Sequence, residues 1–319
     1  MSTSGSYSFS VTRDDIIRQA MLNIKRLDPD DAPSPSELND CARVLNMMVK
    51  QWMGKTDFAP GLKVWTRARV HVLLNGSGNG YTLNQTAQGV TTVLNVGTVA
   101  SNAAQSAASV VLAGLVPVAG QTLALQGTDG NLEYYTISSV AGQTASITPS
   151  LTVAVNANAA AYMYAAASVP PALLEIESAI LRDNTNSDTP LRIFTVQDWD
   201  MLPNKMDPTN QGDPIGILYE PGINQGVLWT DCGSCQDVSK HMILTGFLPV
   251  QDFVNPLDNP QYPQEWYLAL CWGLAEQISP MFGANWGQKE ESLKHNAIMI
   301  ARNKGSEISS MYFQPGAED

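Results

Sequence analysis

Between Arg69 and Arg182 the chain carries no lysine and no arginine. A protein that grips nucleic acid by its phosphates needs clustered basic side chains, so this whole stretch is excluded as an electrostatic clamp on DNA. Within it, residues 85–161 are dominated by Ala, Thr, Val, Ser and Gly, and Asp129 and Glu133 are the only charges. Short β-prone runs recur there, at Val90–Val96, Ser109–Leu112, Thr122–Leu125, Glu133–Ile137 and Ala145–Ile147. Turns at Gly120, Gly127, Gly130 and Gly142 separate them. The pattern predicts a small inserted all-β domain. It is not the pattern of a disordered chain, which combines low hydrophobicity with high net charge.

The two ends read differently. Thr12 has the position of a helix N-cap, with Asp15 in a capping-box role. Ile16, Ile17, Ala20, Met21, Ile24 and Leu27 follow at helical spacing. Asp28-Pro29 and Pro33-Ser34-Pro35 predict a loop, after which Ser36 caps a second helix. Its apolar stripe is Leu38, Cys41, Ala42, Leu45, Met48, Val49 and Trp52, and Gly54 stops it. Near the other end Pro263 opens a helix with Tyr267, Leu270, Leu274 and Ile278 on one face, broken at Gly283. A last helix runs from about Trp286 to Lys304, with Leu293, Ala297 and Ile300 facing inward and Glu290 paired with Lys294. Stripes this wide predict that the N- and C-terminal helices pack on each other.

Between helices and insert, the residues predict an antiparallel β region. Period-2 alternation starts near Val64. Gly76 to Gly80 reads as a turn, from which Tyr81-Thr82-Leu83 returns as a strand. Further strands are predicted at Leu173–Leu181, Pro190–Phe194, Ile215–Tyr219, Val227–Thr230 and His241–Leu244, with a short helix within Val196–Asn204. The fold class expected is therefore α+β: a discontinuous helical bundle from both termini, a central antiparallel β region and an inserted small all-β domain. The boundaries expected are 10–56 plus 262–305 for the helices, 60–84 plus 162–261 for the central β domain, 85–161 for the insert, and 306–319 for an extended C-terminal tail.

The 319 residues suffice for two or three domains. Only 15% are charged, against the usual quarter, so the polar surface is mostly uncharged and cheap to desolvate against neighbours. The net charge of −12 suits a wall that repels DNA rather than one that holds it. The Ser-rich opening from Met1 to Ser10 lacks the basic start and apolar core of a secretory leader, and no apolar run has the length of a membrane span. Four cysteines make no disulfide scaffold, so synthesis in a reducing cytoplasm is expected.

Chemistry-bearing motifs are sparse. Cys232-Gly-Ser-Cys235 lacks the second ligand pair of a structural zinc site and reads as a hairpin turn, with His241 nearby. The glycines at 76, 78 and 80 lack the Lys-Ser/Thr and the helix of a phosphate loop. His71, His241 and His295 are single histidines on separate elements, and no nucleophile elbow is present. No catalytic residue, cofactor or metal site is expected. Trp199, Trp266 and Trp286 open or flank helices, where they are placed to brace a neighbouring subunit.

Read in order, these pieces resemble one family. Leu38…Leu45-Asn46-Met47-Met48…Trp52, then Pro170-Pro171…Ile180-Leu181-Arg182-Asp183…Pro190-Leu191, are similar to the head-to-tail adaptors of short-tailed bacteriophages, also called tail accessory or packaged-DNA stabilisation proteins. Tyr219-Glu220-Pro221…Leu228-Trp229 and Tyr262-Pro263-Gln264-Glu265-Trp266…Phe282-Gly283 continue the likeness. The insert is absent from the shortest members. The resemblance implies a homo-dodecameric ring in the virion that stacks on the portal protein, extends the DNA channel, retains packaged DNA without binding it specifically, and docks the tail nozzle. It implies no enzyme, no cofactor and no membrane. Met311, Tyr312, Phe313 and Gln314 are an isolated apolar group on a polar tail, and in such a family they are expected to dock on the portal. Another phage tail-tube or baseplate protein is the alternative reading, with a cell-wall hydrolase behind it.

Overall fold

Reciprocal capping boxes start both N-terminal helices. The Asp15 amide donates to the Thr12 hydroxyl at 3.2 Å, and the Thr12 amide donates to the Asp15 carboxylate at 3.0 Å. Ser34 and Glu37 repeat the exchange at 3.3 and 3.0 Å. Ser34, rather than Ser36, is thus the second cap, because Pro35 at the first helical position has no N–H to leave unsatisfied. The computed structural model describes residues 9–54, 66–76, 78–85, 89–205, 207, 209–210, 212–222, 225–233 and 237–305.

Two helices open the chain, α1 (Arg13–Asn23) and α2 (Pro35–Trp52). Strands β1 (Arg67–Leu73), β2 (Gly80–Thr82) and β3 (Val90–Thr91) follow. Then come β4 (Asn95–Val99), β5 (Ser109–Ala113), β6 (Thr122–Gln126), β7 (Leu132–Ala141), β8 (Thr144–Thr148) and β9 (Ala160–Tyr164). β10 (Glu175–Arg182) and β11 (Asp188–Ile193) lead to α3 (Val196–Asp200), and β12 (Gly216–Glu220), β13 (Val227–Thr230) and β14 (His241–Phe247) complete the strands. The chain ends in α4 (Trp266–Ile278) and α5 (Gln288–Gly305). Two units result: Met1–Thr66 with Val250–Asp319, and Arg67–Pro249.

In the first unit, Leu45, Met48 and Trp52 of α2 share one core with Leu270, Leu274 and Ile278 of α4, and Ile16, Ile17 and Met21 of α1 join them. The Trp52 ring lies against α4 at Gly273, where an added Cβ would sit 2.4 Å from the indole. Trp266 packs beside it with ring centroids 6.4 Å apart, fully buried and therefore unavailable as a subunit brace. Asn46 fixes the following loop with both ends of its amide, donating to the Phe253 carbonyl at 3.1 Å and accepting from the Phe253 amide at 2.9 Å. On α5 the inward face is Ala297 and Ala301. Leu293 and Ile300, expected inside, are 39% and 59% exposed. Lys294 meets Glu276 and Glu291, both at 2.7 Å, in place of the expected Glu290.

The second unit holds an eight-stranded sheet, ordered β2-β13-β12-β11-β10-β14-β1-β3, and a closed six-stranded barrel, β4-β5-β8-β7-β6-β9. The uncharged composition of 95–164 suits a closed barrel, since closure pairs every edge without relying on charged side chains to protect it. The barrel core comprises Val99, Val110, Leu112, Leu123, Leu125 and Ile137 among others. A second cluster joins barrel to sheet: Ala124, Leu132, Tyr162 and Tyr164 meet Leu73 of β1 and Val238. The Tyr162 hydroxyl donates to the Val238 carbonyl at 3.0 Å. Gly89, at φ +66°, lets the chain pass under the Tyr134 hydroxyl, which an added Cβ would meet at 2.6 Å.

The α+β class expected from the sequence is corrected by these elements. Among the described residues the chain is mainly β, built on an eight-stranded sheet and a six-stranded barrel with five short α-helices, not dominated by a discontinuous helical bundle. Nor is the central sheet wholly antiparallel. β11 and β12 run parallel, with Arg192 opposite Gly216, and α3 lies in the crossover that parallel strands require. β2 does not return along β1. It pairs with β13, Trp229 opposite Gly80, while β1 is flanked by β14 and β3. The run Val90–Val96 is split, β3 joining the sheet and β4 the barrel.

The Trp52–Gly273 contact gives a direct stability test. A valine at 273 gains up to about 1 kcal/mol over glycine in helix propensity, but overpacking a close-packed site costs about 1–3 kcal/mol. Gly273→Val should therefore lower the thermal unfolding midpoint. An unchanged or raised midpoint would show that the indole does not lie against the α4 backbone.

Candidate functional site

Strand β14 brings the chain's two sheet histidines together. Leu73 of β1 faces His241, and His71 faces Ile243, so His71 and His241 are diagonal neighbours on one face of the sheet. Their ring centroids are 5.4 Å apart. On the other side of β14, Arg182 of β10 is directly opposite His241, and Asp188 of β11 is directly opposite Arg182. Arg182 grips Asp188 with two hydrogen bonds, both 2.7 Å. The row thus reads Asp188, Arg182, His241, with His71 at its end. Tyr162 of the barrel meets the His241 ring edge-on at 6.1 Å.

Burial, then the neighbouring His71, then Arg182 hold the His241 pKa down to about 4. Burial likewise lowers that of His71, helped by Arg182 and Arg69. Both rings are neutral near pH 7. His71 Nδ1 is buried with no hydrogen-bond partner.

His241 is 5% exposed, and what remains open faces a cavity of about 610 Å³ with mixed polar and apolar walls. The cavity lies between the barrel (Val96, Gln126, Asn158, Ala160), the β10–β11 turn (Asp183, Asn184, Asn186) and the segment before β14 (Asp237, Ser239). Its carboxylates are pre-positioned. Asp183 Oδ1 accepts from the Thr185 amide, the Thr185 hydroxyl and the Ser187 amide, at 2.7 to 2.8 Å. Asp237 Oδ1 accepts from the amide and hydroxyl of Ser239. Lys240 is paired with Asp213 at 2.6 Å and Asp237 at 3.3 Å.

The sequence singled out His71 and His241 as separate residues; their register brings them together. It did not find Asp183, Asn184, Asn186, Asn158 or Asp237. The Asp183-Asn184-Thr185-Asn186-Ser187 turn was the available signal, since Asn158 and Asn186 both take positive φ, which asparagine tolerates. Cys232 is disulfide-bonded and buried, while Cys41 and Cys271 are free thiols. Cys235 lies outside the described residues, as do Met311, Tyr312, Phe313 and Gln314. Trp199, another expected brace, is buried against Phe194. Among the described residues no group of three or more His, Cys, Asp or Glu is placed to hold a metal ion, and no helix is long and apolar enough to cross a membrane. A scan against models of known protein families finds no match, and a search of curated proteins finds none.

The histidine row predicts a pH dependence. The unfolded chain takes up protons near pH 6.5, whereas folded His241 resists them until about 4. Its contribution is therefore complete above about pH 6.5 and is lost as pH falls to about 4. The loss is up to about 3 kcal/mol for His241 at 1.36 kcal/mol per pH unit, and His71 adds to it with the same sign. Urea unfolding at pH 7 and pH 4.5 should show a smaller acid loss in His241→Gln than in the wild type. Equal losses would remove the histidine from the account.

Proposed function

We propose that the chain is a structural, non-enzymatic protein of a phage virion, an adaptor ring between the portal and the tail. One observation carries the reading. The apolar stripes of α2 and α4, from opposite ends of the chain, share a single core, in keeping with the order of motifs that resembles the head-to-tail adaptors. The surface chemistry supports it. Leu268, Met281, Met299 and Ile300 are exposed apolar residues on or beside the C-terminal helices, and low charge makes such faces cheap to bury between copies. In this reading twelve copies line a channel that DNA passes without being gripped, one face of the ring meets the portal, and the other receives the tail nozzle.

Particle images of the purified protein, alone and mixed with portal rings, test the proposal. Twelvefold rings seated on portal are the expected result. Rings of another symmetry would favour a tail-tube or baseplate protein, and particles that ignore portal would overturn the adaptor reading.

A further inference from the structure

The cavity beside His241 carries chemistry that no virion-building role uses. His241 is nine-tenths buried and faces the cavity, where its ring nitrogens are open to a hydrogen-bond partner from solvent or a ligand. The side chains of Asn158, Asn184 and Asn186, all solvent-exposed, line the same space and present amide donors and acceptors to it. Gln126 Oε1 accepts from the Ala160 amide at 3.3 Å, which fixes that side chain and leaves its NH2 to donate. The donors and acceptors therefore converge from four separated segments, with Gln126, Asp183 and Asp237 held in place by bonds to their neighbours.

The balance of charge narrows the occupant. Two carboxylates line the cavity, and the nearby cations are spent: Arg182 on Asp188, Lys240 on Asp213 and Asp237. An anion finds no free positive partner there. A metal ion finds no set of three ligating side chains among the described residues. Ala160 and Val96, which is 49% exposed, add aliphatic surface beside Thr98, Ser239 and the Tyr162 ring. A ligand that presents hydroxyls to amides and carboxylates, and C–H groups to aliphatic walls, satisfies every part of it. The volume of about 610 Å³ falls within the range of small-ligand pockets.

We propose that this cavity is a binding site for a neutral saccharide unit, with His241, Asn184 and the free oxygen of Asp183 hydrogen-bonding its hydroxyls and Val96 and Ala160 packing on its C–H face. The proposal stands apart from the adaptor reading, because it rests only on the β unit's own cavity.

Backbone and imidazole NMR of the full chain tests it, with glucose, galactose, mannose and N-acetylglucosamine added singly as probes. At least one should give saturable shifts at Asn158, Asn184, Asn186 and the His241 ring. Asn184→Ala, in an exposed turn, and His241→Phe should each weaken that binding about tenfold, the loss of one or two hydrogen bonds. Tighter binding of a linear oligomer of the active sugar would assign a polymeric glycan as the source, and equal binding a free sugar. No shift with any of the four sugars would overturn the proposal, as would shifts unchanged in Asn184→Ala or displacement of the sugar by inorganic phosphate or calcium.

Discussion

Both hydrogen-bonding edges of β14 are taken, by β1 on one side and β10 on the other, each over seven residue pairs. Met242 and Leu244 are buried in the sheet core, and His241 and Ile243 are buried on the opposite face. A strand covered on both faces and paired on both edges has no solvent-facing option in register. Sliding it by one residue would exchange its two buried faces. The sheet's two halves, β2 to β10 in spatial order and β1 with β3, therefore depend on one short segment late in the sequence. The histidine row and the cavity depend on it as well, since His241 is its first residue.

The barrel is attached to that sheet by aromatic side chains rather than by a shared strand. Tyr162 and Tyr164 leave the barrel through β9 and enter a cluster with Leu73 and Val238. Burial pushes the Tyr164 phenol up to about 12, and raises Tyr134 and Tyr162 further in the same direction. These hydroxyls stay protonated at any physiological pH, and Tyr162 donates to the Val238 carbonyl while Tyr164 bonds the Gly89 backbone. The cavity opens beside this junction, where the barrel and the β10–β11 turn leave room. Its polar lining is the part of the interface that side-chain packing did not close.

What could be read in the sequence was local. Thr12 with Asp15 marked a helix start that the structure shares, and the strands at Thr122–Leu125, Val227–Thr230 and His241–Leu244 lie within β6, β13 and β14. Ser36 was mistaken for Ser34 by two positions, because the proline at 35 looked like the end of a loop rather than a first helical residue. The failures were of pairing. Tyr81-Thr82 follows a glycine turn that favours a hairpin, yet its partner Val227-Leu228 lies far along the chain, and no local pattern encodes that choice. The parallel pair β11–β12 was hidden for the same reason. The fold class failed by weight: each helix was visible, but the number of strands that would pair into two continuous systems was not. The cavity was illegible because its walls come from residues near 96, 126, 158, 184 and 237, each an ordinary side chain in its own segment.

β14 is the strand on which the β unit is built, and native-state hydrogen exchange tests this. Amides of the innermost ladder open only with global unfolding, whereas edge strands open locally. The amides of Met242 to Gly246 should be among the slowest to exchange, with opening free energies equal to that of global unfolding, while those of β2 and β3 exchange through local opening. Exchange of β14 faster than the barrel strands β6 and β7 would contradict it, and would make the barrel the stable nucleus instead.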